Sequence, residues 1–181
     1  MIKKLVGFDT VSRESNLPLI DFVQNILYDQ GIDSRRVPSA DGQKSNLIAT
    51  VGPQEAGGVV LSGHTDVVPV DGQDWDSDPF TLKRSGSRLY GRGSCDMKGF
   101  IGIALALVPK MVNLRRPIHF ALSYDEEVGC LGAPDMIDVI RRELPEPQGV
   151  IVGEPTTMGA VIGHKGMVGL RTVVRGYEAH S

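Results

Sequence analysis

The sequence has 181 residues, of which 41% are hydrophobic and 23% charged, and its formal net charge is −3. This globular composition with a slight acidic excess gives no electrostatic reason to expect nucleic acid or an anionic membrane as a partner. The longest apolar run, Phe100 to Val108, is much shorter than the roughly 20 residues that span a bilayer. The first residues do not form a signal-peptide pattern, and two cysteines are too few for a disulfide scaffold. We therefore expect a soluble, cytoplasmic protein that binds neither nucleic acid nor a membrane.

The first part of the chain predicts a helix followed by strands. Asn16 precedes apolar residues that recur with helical spacing over 19–27, and Gly31 stands at a position typical of a helix C-cap. Strands are predicted in short apolar or alternating runs at 32–37, 46–51 and 59–61. The third of these runs is wholly apolar, which favours a strand that is buried on both faces.

The second part of the chain alternates helices with strands. After a polar loop at 71–93, the predicted elements are a helix at 99–112, a strand at 118–122, a helix at 134–143, and strands at 149–152 and 167–174. Apolar strands that alternate with helices favour an α/β layered domain with a largely parallel sheet. His119 lies inside an apolar strand, so we expect a core histidine with a backbone hydrogen-bond partner.

Acidic residues and a histidine follow three of the predicted strands. The strand ends lead to His64 and Asp66, to Asp125, Glu126 and Glu127, and to Glu154. Because the carboxyl ends of parallel strands converge on one crevice in an open α/β sheet, we expect these residues to lie together. Asp96, just before the helix at 99–112, is a further member. Each residue alone has an ordinary structural explanation, such as a helix cap, but the shared placement favours a single site.

The side chains of this set indicate metal chemistry. One imidazole and several carboxylates, without a thiolate, suit a divalent ion such as Zn²⁺, Co²⁺ or Mn²⁺. A single catalytic zinc takes about three protein ligands, so the surplus of carboxylates predicts a second ion that shares one of them. Asp66 follows His64 by two residues, so in an extended segment its carboxylate can accept the second ring N–H. Glu126 and Glu127 are consecutive and diverge, so one can bind metal while the other acts as general base.

Six stretches of the sequence together resemble the M20 family of metal-dependent aminoacylases and peptidases. They are SGHTDVVPV (62–70), WDSDPF (75–80), LYGRGSCDMKGF (89–100), SYDEEVGCLGA (123–133), VGEPT (152–156) and GHKG (163–166). The resemblance covers most of the chain from Leu61 onward. It implies a zinc-peptidase-like catalytic domain over residues 1–163, followed at 164–181 by the beginning of an α+β lid or dimerisation domain.

The resemblance also implies a role for each residue that matches the family pattern. Asp96 is implied to bridge two divalent metal ions, Zn²⁺ or Co²⁺. His64 and Glu154 complete the site of one ion, and Glu127 serves the other.

The same resemblance implies the catalytic residues. Glu126 is the implied general base and proton shuttle, Asp66 the partner of His64, and His180 a contact to the oxyanion or the substrate carbonyl. In the family, the last metal-binding histidine and the residues that grip the substrate carboxylate lie in a later part of the chain. We therefore expect the chain as given to be the front part of a longer enzyme and, alone, to be metal-poor, unstable or inactive.

The substrate is indicated by finer details. VGEPT and GHKG favour the branch of the family that deacetylates N-acetylornithine in arginine biosynthesis, with a small N-acylated amino acid as substrate and a homodimer at full length. Desuccinylation of N-succinyl-diaminopimelate, or another M20 aminoacylase or carboxypeptidase activity, is the alternative. Two other classes are a non-catalytic metal-binding module, against which the retained Glu126 argues, and a flavodoxin-like domain, which predicts no metal.

Overall fold

The computed structural model describes residues 1–163, 165–166 and 168–180. Its helices and strands, in chain order, are α1 (Ile2–Val6), α2 (Leu17–Asp29), β1 (Ser34–Pro38), β2 (Ser45–Val51), β3 (Val59–His64), β4 (Lys83–Ser85), β5 (Arg88–Tyr90), α3 (Lys98–Leu107), a 3₁₀ turn (Val108–Lys110), β6 (Ile118–Ser123), α4 (Ala133–Glu143) and β7 (Gly149–Val152).

Five strands of the described chain form one sheet in the order β1-β2-β6-β3-β7. The neighbours β6, β3 and β7 run parallel to one another, whereas β2 is antiparallel to both β1 and β6. Every strand of this sheet except β2 therefore points in the same direction. The predicted α/β class with a largely parallel sheet is confirmed, and β2 is reversed because a short turn joins it to β1 as a hairpin.

Helices cover both faces of the sheet because successive strand residues point to opposite sides. On β6, Phe120 and Leu122 join a large core with α1, α2 and α3, while Ala121 between them joins a smaller core. The smaller core lies under α4, which contributes Met136 and Val139. The result is a three-layer arrangement that leaves the strand ends free to carry the polar residues.

Helix ends in the structure follow simple local signals. Gly31 takes φ +71° after α2, and the N–H of Ile32 donates to the carbonyl of Leu27, as in a Schellman cap. The predicted end of this helix is therefore confirmed. The helix predicted over 99–112 is shorter than expected: α3 ends at Leu107, because Pro109 lacks the N–H that would continue it.

Two expectations about local structure were wrong, and one helix was missed. The helix α1 was not predicted, and the segment expected to be a loop at 71–93 contains the small antiparallel hairpin β4–β5. The strand expected at 167–174 is not observed over 168–174, while Met167 lies outside the described residues. A strand requires a neighbour to accept and donate its backbone hydrogen bonds, and the described part of the chain places none beside this segment.

The predicted boundary between residues 163 and 164 stays a prediction, since His164 lies outside the described residues. None of the helices in the described part of the chain combines the length and the apolar character that crossing a bilayer requires.

Candidate metal centre

Three neighbouring strands deliver the polar residues to one edge of the sheet. His64 is the last residue of β3, the turn with Glu126 and Glu127 follows β6, and Glu154 follows β7. Since β6, β3 and β7 are adjacent and parallel, their carboxyl ends meet at this edge.

His64 stands at the centre of the cluster. Its side chain is buried, and its Nε2 faces carboxylate oxygens at 2.9 Å (Asp96 Oδ1), 3.6 Å (Glu154 Oε1) and 4.0 Å (Glu126 Oε2). One ligand atom each of His64, Asp96 and Glu127 also lie within 4.8 Å of one another. The structure therefore brings together all four residues predicted to bind metal and the predicted general base.

Asp96 is positioned by the start of α3. The next two residues, Met97 and Lys98, are completely buried, and the sulfur of Met97 accepts a hydrogen bond from the backbone N–H of His64 at 3.3 Å. The Asp96 side chain itself is about half exposed. Gly63 allows this close approach, because a Cβ at that position would lie only 3.0 Å from the Met97 methyl group.

The electrostatics of the cluster favour a bound cation. Burial alone would lower the pKa of His64, but hydrogen bonds and charge from Asp66 and Asp96 outweigh it and raise the pKa to about 9. Burial, together with the nearby Asp96 carboxylate, raises the pKa of both Glu127 and Glu154. Carboxylates that are crowded in this way repel one another, and a divalent ion among them relieves that repulsion. The donor set of imidazole and carboxylates fits such an ion.

Asp66 is buried beside His64 and holds the turn that carries Glu126 and Glu127, called the glutamate turn below. Its Oδ1 accepts the N–H of Glu126 at 3.0 Å, and its Oδ2 accepts the N–H of Glu127 at 3.2 Å and the hydroxyl of Ser12 at 2.7 Å. Burial opposes ionisation of Asp66, but the adjacent His64 imidazole and hydrogen bonds from Ser12 and the backbone outweigh it and lower its pKa.

One predicted hydrogen bond is made by a different atom. The backbone carbonyl of Asp66, rather than its carboxylate, accepts the Nδ1–H of His64 at 2.8 Å. The carboxylate Oδ1 is 3.6 Å from Nδ1, because both carboxylate oxygens already serve Ser12 and the glutamate turn. The outcome for His64 is the same: Nδ1 is a donor, and Nε2 is directed into the cluster.

Two further histidines, His119 and His180, belong to the described part of the chain. His180 is exposed, and no hydrogen bond or ion pair among residues of the described ranges joins it to the cluster; its catalytic role stays a prediction. His119 is a core residue, as expected. Its hydrogen-bond partner differs from the expected backbone group: the ring Nδ1 is 2.8 Å from the side-chain oxygen of Thr50. The two cysteines, Cys95 and Cys130, are free and exposed.

Sequence reasoning missed Ser12 and Lys44, which form hydrogen bonds to Asp66 and Asp125 beside the cluster. Both residues precede the recognisable stretches, and neither sits in a periodic pattern or beside another polar candidate. Only the folded chain shows that they reach the turn after β6.

Comparisons with known proteins agree with this geometry. The sequence pattern of Peptidase family M20/M25/M40 matches residues 60–177. The acetylornithine deacetylase of Myxococcus xanthus is 38% identical over 185 residues, covering 99% of this chain and 47% of the relative. The acetylornithine deacetylase of Pasteurella multocida (strain Pm70) is 36% identical over 171 residues, covering 93% of this chain and 44% of the relative. The chain thus spans about half the length of the curated relatives it matches.

Solved structures of similar fold include a dipeptidase and a metallo-carboxypeptidase. Human carnosine dipeptidase 1 has a TM-score of 0.65 and 25% identity, with 78% of this chain and 34% of that chain covered. The M20 family metallo-carboxypeptidase Sso-CP2 from Sulfolobus solfataricus has a TM-score of 0.72 and 19% identity, with 84% and 36% covered. These likenesses support the fold described above.

Proposed function

Because the chain belongs to Peptidase family M20/M25/M40, a family of hydrolases that act on amide bonds, we propose that it carries the metal centre of an N2-acetyl-L-ornithine deacetylase. The products are ornithine and acetate. The names of the curated relatives support this substrate. The proposal includes a homodimer at full natural length that acts in the cytoplasm in arginine biosynthesis.

The observation that carries the proposal is the ring of carboxylates around the buried Nε2 of His64. We assign two divalent ions, Zn²⁺ or Co²⁺, to this centre. Asp96 would be the ligand that both ions share, His64 and Glu154 would hold one ion, and Glu127 would contribute to the other. When bound, such ions polarise an amide carbonyl and make a water molecule more acidic.

Glu126 is the residue that moves the proton. Its Oε2 lies 4.0 Å from His64 Nε2, so its carboxylate borders the space where the metal ligands converge. It takes a proton from the attacking water and gives it to the nitrogen of the leaving ornithine amine, so that water and the amide become acetate and a free amine. The backbone N–H of Glu126 donates to Asp66, and this hydrogen bond fixes the backbone from which the Glu126 side chain extends.

A Co²⁺ titration of the protein at its full natural length tests the metal centre. We expect visible absorption from protein-bound Co²⁺, and an affinity that Asp96→Asn or Glu154→Gln weakens by at least about tenfold. Glu126→Gln is the matched control, because it makes the same chemical change at a residue assigned to proton transfer and should leave the affinity within about twofold of the original. Equal affinity in all variants would show that the ion binds elsewhere.

The substrate is tested with the protein at its full natural length. Acetate release from N-acetylornithine should be faster than succinate release from N-succinyl-diaminopimelate, and Glu126→Gln should remove most turnover. Faster turnover of the succinyl substrate would replace the deacetylase assignment with desuccinylation. Normal turnover by Glu126→Gln would refute the role of this glutamate.

A further inference from the structure

A cluster of polar side chains connects the turn that carries the two glutamates to two segments that the proposed mechanism does not use. These are the N-terminal segment and the turn between β1 and β2. Lys44, in the turn between β1 and β2, donates from Nζ to the backbone carbonyl of Ser12 and to the carboxylate of Asp125. The side chains of Lys44 and Asp125 are only 17% and 12% exposed. An ion pair that is this well shielded from water is stronger than one on the open surface.

Ser12 is itself held in place by pairing between backbone segments. The N–H of Val67 donates to Thr10 at 3.0 Å, and the N–H of Ser12 donates to the carbonyl of Val67 at 3.2 Å. This pairing places the N-terminal segment beside the residues that follow β3. The hydroxyl of Ser12 then donates to Asp66 Oδ2 at 2.7 Å, so Ser12 contacts both Lys44 and Asp66.

The turn that carries the glutamates needs such support. Asp125 takes φ +56°, a left-handed conformation that Asp adopts more readily than most residues but that is still less favourable than the right-handed one, so contacts from its surroundings help to hold it. Lys44 holds the side chain of Asp125, and Asp66 accepts the N–H groups of the next two residues. Loss of Lys44 leaves the shielded carboxylate of Asp125 unpaired, and loss of the Asp66 carboxylate leaves two N–H groups of the turn without their acceptor.

We propose that Lys44 and Ser12 are positioning residues, which hold the turn at 125–127 in the conformation that directs Glu126 and Glu127 toward His64. Lys44 acts through Asp125, and Ser12 acts through Asp66. Neither residue is a ligand in the proposed centre. The inference rests on the proposed function, because its consequence for chemistry is the placement of one metal ligand and the general base.

The first measurement needs no metal. Amide hydrogen exchange at Glu126 and Glu127 is followed by NMR in the 181-residue chain and in Lys44→Met and Ser12→Ala. We expect exchange to accelerate by at least about tenfold at these two amides while the amides of β2 keep their protection. Lys44→Arg and Ser12→Thr keep the donors and should restore slow exchange. Ser87→Ala is the matched control, since Ser87 is exposed in the turn between β4 and β5 and is not part of the cluster around Lys44.

The second measurement is the Co²⁺ affinity of the same variants, made in the protein at its full natural length. Lys44→Met and Ser12→Ala should weaken it by about tenfold, with recovery in the two conservative variants. Unchanged exchange at Glu126 and Glu127 overturns the inference. Faster exchange with unchanged Co²⁺ affinity also overturns it, because Lys44 and Ser12 would then stabilise the turn without any effect on the metal centre. If the unsubstituted protein at its full natural length binds no Co²⁺, the proposed function fails and the inference fails with it. If that protein binds Co²⁺ and the variants bind it equally well, only the inference fails.

Discussion

Replacing Gly153 with alanine tests how β7 delivers Glu154 to the cluster. A Cβ at this position would lie 2.1 Å from Cγ of Phe100 and 2.2 and 2.5 Å from its two Cδ atoms. Carbon atoms in contact normally sit about 3.5–4.0 Å apart. Either the ring must therefore move by more than about 1 Å, or the end of β7 must shift and move the Glu154 carboxylate with it.

The expected cost of Gly153→Ala follows from this overlap. Overpacking a well-packed site costs about 1–3 kcal/mol, and the ring of Phe100 is only partly buried, which gives it some room to move. We expect the free energy of unfolding to fall by about 2 kcal/mol, measured by urea denaturation followed by circular dichroism. Since the Glu154 carboxylate lies 3.6 Å from His64 Nε2, its displacement should also weaken Co²⁺ binding by about tenfold.

Gly149→Ala is the matched control at the other end of β7. An added Cβ at Gly149 meets nothing within 4 Å, so its unfolding free energy should be unchanged or up to about 1 kcal/mol higher. Combining Gly153→Ala with Phe100→Ala should cost less than the sum of the two single changes, because the double variant removes the clash. Equal stability of Gly153→Ala and Gly149→Ala would refute the argument that this contact fixes the end of the strand.

Three further predictions concern stability and association. Burial lowers the pKa of His119, so the folded chain binds fewer protons there than the unfolded chain as the pH falls below about 6.5. Urea denaturation at pH 7 and pH 5 should show a loss of stability that is smaller in His119→Gln. The buried amide of Asn16 binds both backbone groups of Ser45 and the hydroxyl of Thr65, so Asn16→Ala should lower the unfolding free energy by about 2–4 kcal/mol in the same assay. The edge strand β7 exposes Ile151 at 53% between two other exposed apolar residues, so Ile151→Lys should reduce self-association in sedimentation velocity.

Controls for these three changes come from the same chain. An identical pH dependence in the original chain and in His119→Gln would contradict the assignment to that ring. Asn25→Ala, at an exposed position of α2, should change stability by less than about 0.5 kcal/mol; an equal cost at Asn16 would show that its buried hydrogen bonds matter little. Val112→Lys adds the same charge at an exposed site away from β7, and an equal effect on association would mean that net charge, not the strand edge, is responsible.

Much of the sheet could be predicted from the sequence because its strands are short apolar runs between turn residues. β7, predicted at 149–152, is observed at Gly149–Val152, and the polar residues expected after three strands do meet at one edge. This convergence follows from a general property of parallel strands. No knowledge of which strands are neighbours was needed to expect it.

The parts that could not be predicted depend on distant contacts. α1 has only five residues, too few to show a helical period, and it is stabilised by the burial of Leu5 and Val6 rather than by its own propensity. Ser12 reaches Asp66 across 54 positions of sequence, and Lys44 reaches Asp125 across 81. Such pairs are set by the packing of the N-terminal segment and the β1–β2 turn against the strand ends, which no local pattern encodes.

The carboxylates of this region fall into two groups that differ in what neutralises them. Asp66 and Asp125 face the protein, where Lys44 pairs with Asp125 and the buried ammonium of Lys98 lies close enough to Asp66 for their charges to interact. Burial lowers the pKa of Lys98 to about 8, and its Nζ donates to the carbonyl of Phe8 at 2.7 Å. It therefore remains mostly protonated at neutral pH.

The second group faces the cleft and consists of Asp96, Glu126, Glu127 and Glu154. Within the described residues, His64 is the cationic partner that forms ion pairs with members of this group. One imidazolium cannot balance four carboxylates, three of which have an oxygen within 4.0 Å of its buried Nε2. The fold thus supplies its own positive charge to the carboxylates that hold the turn in shape and leaves the outward carboxylates with an excess of negative charge. Divalent cations from solution are the natural counterpart of that excess, and their binding should release the proton that His64 otherwise shares with Asp96.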